Sequence, residues 1–148
     1  MRRRVYVVFV LIAWACAGAH AVAQQGARRL SEGVYTAAQA ERGQRTYLAY
    51  CASCHSDDLG GGGTFRGDAV PGLRREALLD GWPELNAFYE AFRRAMPADD
   101  PGSLSPQEYV DILAYLLAEN GWRAGAIELK PDAALLKQIG AGRQANRR

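Results

Sequence analysis

The sequence predicts a single all-α domain. Three segments place apolar residues at helical spacing, and two of these segments begin with residues that cap helices. No segment of comparable length alternates between apolar and polar residues as a strand does. The chain has 148 residues, of which 49% are hydrophobic, and this length suits one globular domain better than two.

The N-terminus has the pattern of a secretory signal peptide at residues 1–23. Three arginines at positions 2–4 precede an apolar run at residues 5–19, and the small-residue segment AVA forms a cleavage site before Gln24. The run is shorter than the roughly 20 apolar residues that span a bilayer comfortably. We therefore expect export, cleavage and a periplasmic location without a stable membrane span. An uncleaved membrane anchor is the alternative.

Cleavage after residue 23 would change the residue inventory. The exported chain retains Cys51, Cys54, His55 and Met96 as its only cysteines, histidine and methionine. The loss of three arginines lowers the formal net charge from +2 to −1, so the basicity of the full chain reflects targeting and predicts no nucleic-acid partner. Exported compartments oxidise free dithiols, so the two cysteines need an explanation.

The mature chain contains no internal repeat and no long linker. We expect a polar lead-in at residues 24–35, one domain at residues 36–140 and a polar C-terminal tail at residues 141–148. A glycine-rich stretch, DDLGGGGTFRGDAVPGL, lies inside the domain and is predicted to be irregular at its centre. A short helical turn is expected at residues 74–79.

The segment TAAQAERGQRTYLAYC predicts the first helix. Thr36 and Gln39 have the spacing of a capping box, in which each side chain hydrogen-bonds the backbone N–H of the other residue. The residues that recur on one helical face end at the first cysteine of the domain: Ala40, Gly43, Tyr47 and Cys51.

Two more helices are predicted after the glycine-rich stretch. PELNAFYEAFRRA carries an apolar face and must end at Met96, because a residue before proline is pushed out of the α region. SPQEYVDILAYLLAENG begins with Ser105 as cap and Pro106 at the first helical position, has Glu108 to complete a capping box, and is terminated by Gly121. The face of the middle helix is formed by Leu85, Phe88, Tyr89 and Phe92.

The segment CASCH, at residues 51–55, is the strongest chemical signal in the chain. Two cysteines three positions apart, followed at once by a histidine, form the attachment signal of c-type haem. The two thiols add across the haem vinyl groups, a helical turn matches the separation of those groups, and the adjacent imidazole reaches the iron. The motif therefore predicts one covalent haem c attached through Cys51 and Cys54, with His55 as an iron ligand.

Two other interpretations of the cysteine pair are less well supported by the sequence. A zinc site needs four ligands, usually from a second Cys or His pair, and the chain has no such pair. A thiol-disulfide exchange site usually lies between a strand and a helix of thioredoxin type, whereas here a helix precedes the motif. Haem attachment remains the best account of the pattern.

The second iron ligand is predicted by elimination to be Met96. It is the only methionine of the exported chain, it ends a helix whose apolar face can line a haem pocket, and the proline after it turns the backbone. Methionine often fills gaps in a core, and tyrosine or lysine can also bind haem iron, but Lys130 and Lys137 lie far from the motif in sequence. Ligation by His55 and Met96 saturates the iron and favours electron transfer over oxygen or peroxide activation.

The sequence resembles the class I monohaem cytochromes c with His/Met ligation. The resemblance covers residues 35–139 and is carried by ERGQRTYLAYCASCH, AVPGL, RRAMPADDPGSLSPQEYVDILAYLLAENG and AIELKPDAALLKQI. The third of these blocks is most similar to cytochrome c domains found with bacterial quinoprotein (PQQ-dependent) dehydrogenases. The resemblance implies a cytochrome c fold, in which the N-terminal and C-terminal helices cross around one covalently attached haem.

The resemblance also implies roles for residues outside the motif. The crossing helices would meet with Gly43 and Tyr47 against Tyr115. The carbonyl of Pro71 would accept a hydrogen bond from the second nitrogen of the ligand imidazole and so fix its orientation. The glycine run at residues 60–63 lengthens the path to Pro71 and departs from a compact loop.

Trp82 and Arg66 are candidates to hydrogen-bond the haem propionates. A donor at that position would offset buried negative charge. The alternative is that Trp82 is only a hydrophobic cover and that Arg66 is a solvated loop residue.

These features predict an exported electron carrier, not an enzyme. We expect it to pass single electrons between periplasmic redox proteins, with a dehydrogenase as donor and an oxidase or another protein as acceptor. One alternative is a haem enzyme or gas sensor in which Met96 dissociates, although the exported chain has no spare histidine for acid–base work on peroxide. The other alternative is a thiol-disulfide oxidoreductase without haem.

Overall fold

The computed structural model describes residues 28–74 and 78–141 and shows a helix-dominated domain. The described α-helices are α1 (Ala37–Tyr50), α2 (Ala52–His55), α3 (Leu85–Ala95), α4 (Pro106–Glu119) and α5 (Ala133–Lys137), and a short 3-10 helix covers Leu30–Glu32. The described strands are β1 (Arg28–Arg29), β2 (Thr64–Phe65), β3 (Asp68–Ala69) and β4 (Ile139–Gly140). In these two ranges, no helix combines the length and apolar character needed to cross a bilayer.

Three predictions fall wholly or partly outside the described residues. They are the signal peptide at residues 1–23, the tail at residues 141–148, of which only Ala141 is described, and the middle of the turn expected at residues 74–79. All three stay predictions.

Helices α1 and α4 cross at Gly43, as expected. A Cβ atom on Gly43 would lie 1.8 Å from the backbone oxygen of Asp111, so no side chain fits at this position. One turn further along α1, the ring of Tyr47 packs against the ring of Tyr115 with centroids 5.3 Å apart. The predicted close contact and its aromatic pair are therefore confirmed.

The N-terminus of α1 is capped differently from the prediction. The hydroxyl of Thr36 accepts a hydrogen bond from the backbone N–H of Gln39 at 3.2 Å, as expected. The Gln39 side chain does not return to Thr36, because it is fully buried and hydrogen-bonds Asp111 at 2.9 Å and the backbone N–H and carbonyl of Leu129, both at 2.8 Å. The predicted hydrogen bond from the Gln39 side chain back to Thr36 was therefore wrong. Buried partners that are distant in sequence satisfy the Gln39 amide instead.

Helix α3 begins at Leu85 and ends where the sequence predicts. Glu84 caps it by accepting from the Ala87 N–H at 3.2 Å, so the helix starts two residues after Pro83. Met96 has left the helix with extended backbone angles, φ −127° and ψ 149°.

Helix α4 begins with the complete capping box that the sequence predicts. The Ser105 hydroxyl accepts from the Glu108 N–H at 3.3 Å, and the Glu108 carboxylate accepts from the Ser105 N–H at 2.7 Å. Beyond the last turn, Gly121 adopts φ +87°, a conformation that glycine takes without strain.

Part of the predicted lead-in belongs to the packed domain. Strand β1 pairs in parallel with β4, which joins residues from the two ends of the described chain. Leu30 and Val34 are fully buried and Tyr35 is 2% exposed. The core therefore extends upstream of residue 36, which was expected to start the domain. The glycine-rich stretch also contains a small antiparallel hairpin, β2 with β3, that the sequence analysis missed.

Candidate haem site

A cavity of about 450 Å³ lies between the α1–α2 junction, α3, α4 and the loop after the motif. Its walls are mostly apolar and aromatic, which suits a flat hydrophobic cofactor. Six of the seven predicted site residues contribute to the lining: Cys51, Cys54, His55, Pro71, Trp82 and Met96. The larger apolar side chains beside them are Tyr47, Tyr50, Phe65, Leu73, Leu78, Phe88, Phe92, Ile112 and Leu116.

The CASCH segment reaches the cavity because α1 and α2 meet at Cys51. The Cys51 N–H donates to the Tyr47 carbonyl at 2.8 Å, which completes the end of α1. The next turn, α2, begins at once, and the His55 N–H donates to the Cys51 carbonyl at 2.9 Å. The thiols of Cys51 and Cys54 are free and half-buried. One helical turn thus presents both thiols and the imidazole to the cavity.

His55 is held in one orientation by the loop after the motif. The side chain is 7% exposed, and Nδ1 lies 3.0 Å from the carbonyl oxygen of Pro71. Because a carbonyl oxygen can only accept, this contact assigns the hydrogen to Nδ1. Nε2 is then the nitrogen with a free lone pair, and a nitrogen needs such a lone pair to bind a metal.

Glycines fold the loop back so that Pro71 can reach His55. Gly61 adopts φ +76°, and a Cβ atom there would lie 2.5 Å from the backbone nitrogen of Gly72. The Gly61 N–H also donates to the His55 carbonyl at 2.9 Å. The glycine run at residues 60–63 was expected to lengthen the path to Pro71 and to depart from a compact loop, but it permits a close backbone approach that makes the loop compact.

Met96 contributes to the cavity wall directly after α3. The residue is half-buried, and its N–H donates to the Phe92 carbonyl at 2.9 Å as the last bond of the helix. The proline that follows is buried and also contributes to the lining. The end of the helix and the change to extended backbone thus bring the lone methionine of the domain into the cavity wall.

The two predicted propionate partners have different positions. Trp82 lines the cavity and packs edge-on against Phe88, with ring centroids 5.7 Å apart. Arg66 is exposed and is not part of the lining; its guanidinium carbon lies 5.1 Å from the ring centroid of Phe65. The structure therefore brings Trp82, but not Arg66, into the site.

The sequence analysis missed several residues of the cavity wall. Tyr50 and Phe65 belong to it, and so does one carboxylate, Asp68. Tyr50 had a signal in the sequence, because it is an aromatic residue directly before the motif. Phe65 had none, because it depends on the small hairpin in the glycine-rich stretch.

The environment of Cys51 does not suit thiol exchange. Burial, followed by the nearby Cys54, raises the pKa of the Cys51 thiol to about 11. Reactive dithiols have a lowered pKa, because the thiolate is the nucleophile. Cys51 therefore stays protonated at neutral pH.

The donors present at the cavity fit a haem. It is apolar, it contains two thiols on one helical turn, and a buried imidazole with a free Nε2 and a methionine contribute to its lining. These are the thioether-forming groups and the His/Met donor set that haem c takes. An all-α domain with crossing terminal helices around such a cavity defines a monohaem c-type cytochrome.

Comparison with known proteins gives the particular family. A family model described as cytochrome c oxidase, cbb3-type, subunit III matches residues 38–116, more than half of the chain, and the chain belongs to this family. A solved structure, the sulfane dehydrogenase SoxCD from Paracoccus pantotrophus, is 26% identical with a TM-score of 0.53. That match covers 82% of this chain but only 59% of the SoxCD chain. No curated protein sequence matches significantly.

Proposed function

We propose that this chain is an exported electron carrier that moves one electron at a time between redox proteins and carries out no substrate chemistry of its own. The observation that carries the proposal is the convergence of Cys51, Cys54, a hydrogen-bonded His55 and Met96 on one apolar cavity. When bound, haem supplies a one-electron couple at its iron. The chain supplies attachment, ligands and an environment that excludes water.

Each of these residues has one role in the proposal. Cys51 and Cys54 form the two thioether bonds to one haem c. His55 binds the iron through Nε2, because Nδ1 is engaged by the Pro71 carbonyl at 3.0 Å. Met96 binds through its sulfur and raises the reduction potential. With both ligands in place no position is open to oxygen or peroxide, which separates a carrier from a haem enzyme or a gas sensor.

The proposed location is the periplasm. Support comes from the sequence of residues 1–23, which has the arginines, apolar run and small-residue cleavage site of a signal peptide. Covalent haem c also suits an exported protein, because the oxidising compartment would otherwise convert the two thiols to a disulfide. An uncleaved segment would instead anchor the same domain to the membrane.

The proposed donor is a periplasmic dehydrogenase, and the proposed acceptor is an oxidase or another cytochrome. The solved SoxCD structure is that of a sulfane dehydrogenase, and the sequence block at residues 93–121 resembles cytochrome domains of quinoprotein dehydrogenases. Both similarities connect this kind of domain with a dehydrogenase. The chain therefore fits either a subunit of such a system or its soluble acceptor.

Covalent attachment is tested on protein purified from the periplasm. The chain is unfolded in acid and extracted with organic solvent, and the haem signal is followed. We expect it to stay with the polypeptide, and we expect the mature chain to begin at Gln24. Haem that partitions into the solvent, or a dithiol form without haem, would contradict the assignment. Copurification from native extracts then identifies the donor, with quinoprotein and sulfane dehydrogenases as the first candidates.

A further inference from the structure

Tyr109 contacts the main chain of Met96 from the neighbouring helix. It is fully buried on α4, and its hydroxyl donates to the Met96 carbonyl at 2.6 Å. Its ring packs edge-on against Phe92, with centroids 5.3 Å apart and planes at 88°. Tyr109 therefore holds both the last turn of α3 and the residue that follows it.

The Tyr109 hydroxyl makes the shorter of the two hydrogen bonds to the Met96 carbonyl. The backbone N–H of Gly102 approaches the same oxygen, but at 3.5 Å. A bond of 2.6 Å is in the usual range for a hydroxyl donor, whereas 3.5 Å is at the limit for an amide. The position of the Met96 carbonyl thus depends chiefly on Tyr109.

A thioether is difficult to hold directly. Its sulfur is only a weak hydrogen-bond acceptor, and the methionine side chain has three rotatable bonds. Fixing the main chain on both sides of the Cα atom is therefore one way to restrict the positions that the sulfur reaches. The Met96 N–H is held by Phe92 and its carbonyl by Tyr109.

We propose that Tyr109 is a positioning residue for the distal iron ligand: its hydrogen bond to the Met96 carbonyl keeps the methionine sulfur bound to the haem iron. This inference rests on the proposed ligation by Met96. It goes beyond that ligation, because it assigns the persistence of the iron–sulfur bond to a residue that does not touch the iron. Without the hydroxyl, the main chain at Met96 samples other positions and the sulfur leaves the iron more often.

A second buried tyrosine of the same helix pair serves as the control for this hydroxyl. Tyr89, on α3, is also buried, at 4% exposure, and its hydroxyl also donates to a backbone carbonyl, that of Pro106, at 3.4 Å. Neither Tyr89 nor Pro106 lines the cavity. Tyr89→Phe therefore removes a buried hydroxyl near the same helix pair without touching Met96.

The test compares Tyr109→Phe and Tyr89→Phe with the wild-type holoprotein. Carbon monoxide binds reduced haem only after the methionine has left, so its apparent affinity and rate report the fraction of molecules with a dissociated sulfur. Loss of one hydrogen bond corresponds to about a three- to tenfold rise in that fraction. We expect such a rise for Tyr109→Phe, with a sulfur-to-iron charge-transfer band that fades at lower temperature than in the wild type. We expect neither change for Tyr89→Phe.

The possible outcomes separate this inference from the proposed function. A wild-type protein without the charge-transfer band would overturn ligation by Met96 and the inference with it. If the wild type shows the band but Tyr109→Phe and Tyr89→Phe have the same carbon monoxide binding and the same band, the positioning role alone is overturned. If Tyr109→Phe does not accumulate, 4-fluorophenylalanine at position 109 keeps the volume of the side chain while removing the donor. Carbon monoxide binding and the charge-transfer band of that variant then test the positioning role.

Discussion

The proposed proximal and distal ligands, His55 and Met96, are held in different ways. On the proximal side, His55 is fixed through its own side chain, with Nδ1 3.0 Å from the Pro71 carbonyl. On the distal side, Met96 is fixed through its main chain, with its N–H bonded to the Phe92 carbonyl at 2.9 Å and its carbonyl bonded to the Tyr109 hydroxyl at 2.6 Å. The imidazole is 7% exposed, whereas the methionine is half-buried.

The difference follows from the chemistry of the two side chains. An imidazole has a second nitrogen that one hydrogen bond can orient, but a thioether has no second donor or acceptor group to hold. The proximal ligand is also part of the attachment motif, whereas the distal ligand depends on contacts between separate helices. Substitutions on the proximal side should therefore reduce haem attachment or the stability of the fold. Substitutions on the distal side should alter ligand exchange at an otherwise intact haem.

The largest expected effect is loss of the proximal ligand. His55→Ala removes the imidazole that the motif, α2 and the Pro71 carbonyl hold together, so we expect little or no holoprotein to accumulate. The measurement is covalent haem per chain in the periplasmic fraction, by haem stain and absorbance. A His55→Ala protein with full haem content and an unchanged spectrum would show that the iron is bound elsewhere.

Loss of the distal ligand should be milder for the cofactor. Met96→Ala should retain covalent haem but lose the sulfur-to-iron charge-transfer band and open one iron position. Carbon monoxide should then bind reduced protein about 10- to 1000-fold faster, the range expected when a minor open state becomes the only state. Persistence of the band in this variant would mean that another group is the distal ligand.

The proximal loop can be tested without changing a ligand. Gly61→Ala and Gly62→Ala place the same side chain at similar positive φ angles, +76° and +91°, so the backbone strain is common to both. At Gly61 the new Cβ would lie 2.5 Å from the Gly72 nitrogen, whereas at Gly62 nothing lies within 4 Å. We expect Gly61→Ala to be less stable than Gly62→Ala by about 1–3 kcal/mol, measured by denaturant unfolding of the holoprotein. Equal stability of the two variants would indicate that the loop is not packed on Pro71.

A proximal hydroxyl provides the counterpart of Tyr109. The Tyr47 hydroxyl donates to the Ser56 carbonyl at 2.7 Å, directly after the motif. Tyr47→Phe should lower the free energy of unfolding by about 0.5–1.5 kcal/mol without changing the charge-transfer band or carbon monoxide binding. A change in carbon monoxide binding as large as that of Tyr109→Phe would remove the distinction between the two sides.

The smallest expected effect is that of Arg66→Gln. The side chain is exposed and lies outside the cavity lining, so stability should change by no more than about 0.5 kcal/mol and the reduction potential should stay constant. Potentiometric titration measures the second quantity. A clear shift in potential would restore Arg66 as a partner of the propionates.

The sequence predicted the proximal side more fully than the distal side, because the proximal chemistry is local. CASCH, the following glycines and Pro71 lie within one stretch of chain, and a motif at fixed spacing carries most of the information. Met96 was found by elimination, but Tyr109 was not. A hydroxyl that donates to a distant backbone carbonyl leaves no pattern of spacing or composition in the sequence.

Two further polar side chains have positions that depend on tertiary contacts. Gln39 has the spacing of a capping residue, yet its amide is buried against Asp111 and Leu129, which are distant in sequence. Arg66 lies outside the cavity lining, with its guanidinium over the ring of Phe65, and its contact with a haem propionate stays a prediction. Propensity and spacing give the helices reliably, and they do not show which long-range partner a polar side chain takes.

The most direct test of the central claim is the visible spectrum of the wild-type holoprotein, oxidised and reduced, with and without carbon monoxide. Ligation by His55 and Met96 predicts a six-coordinate low-spin spectrum in both oxidation states, a sulfur-to-iron charge-transfer band in the oxidised protein, and slow or negligible carbon monoxide binding to the native reduced form. Rapid carbon monoxide binding to that form would contradict a saturated iron, and with it the assignment of this chain as a simple electron carrier.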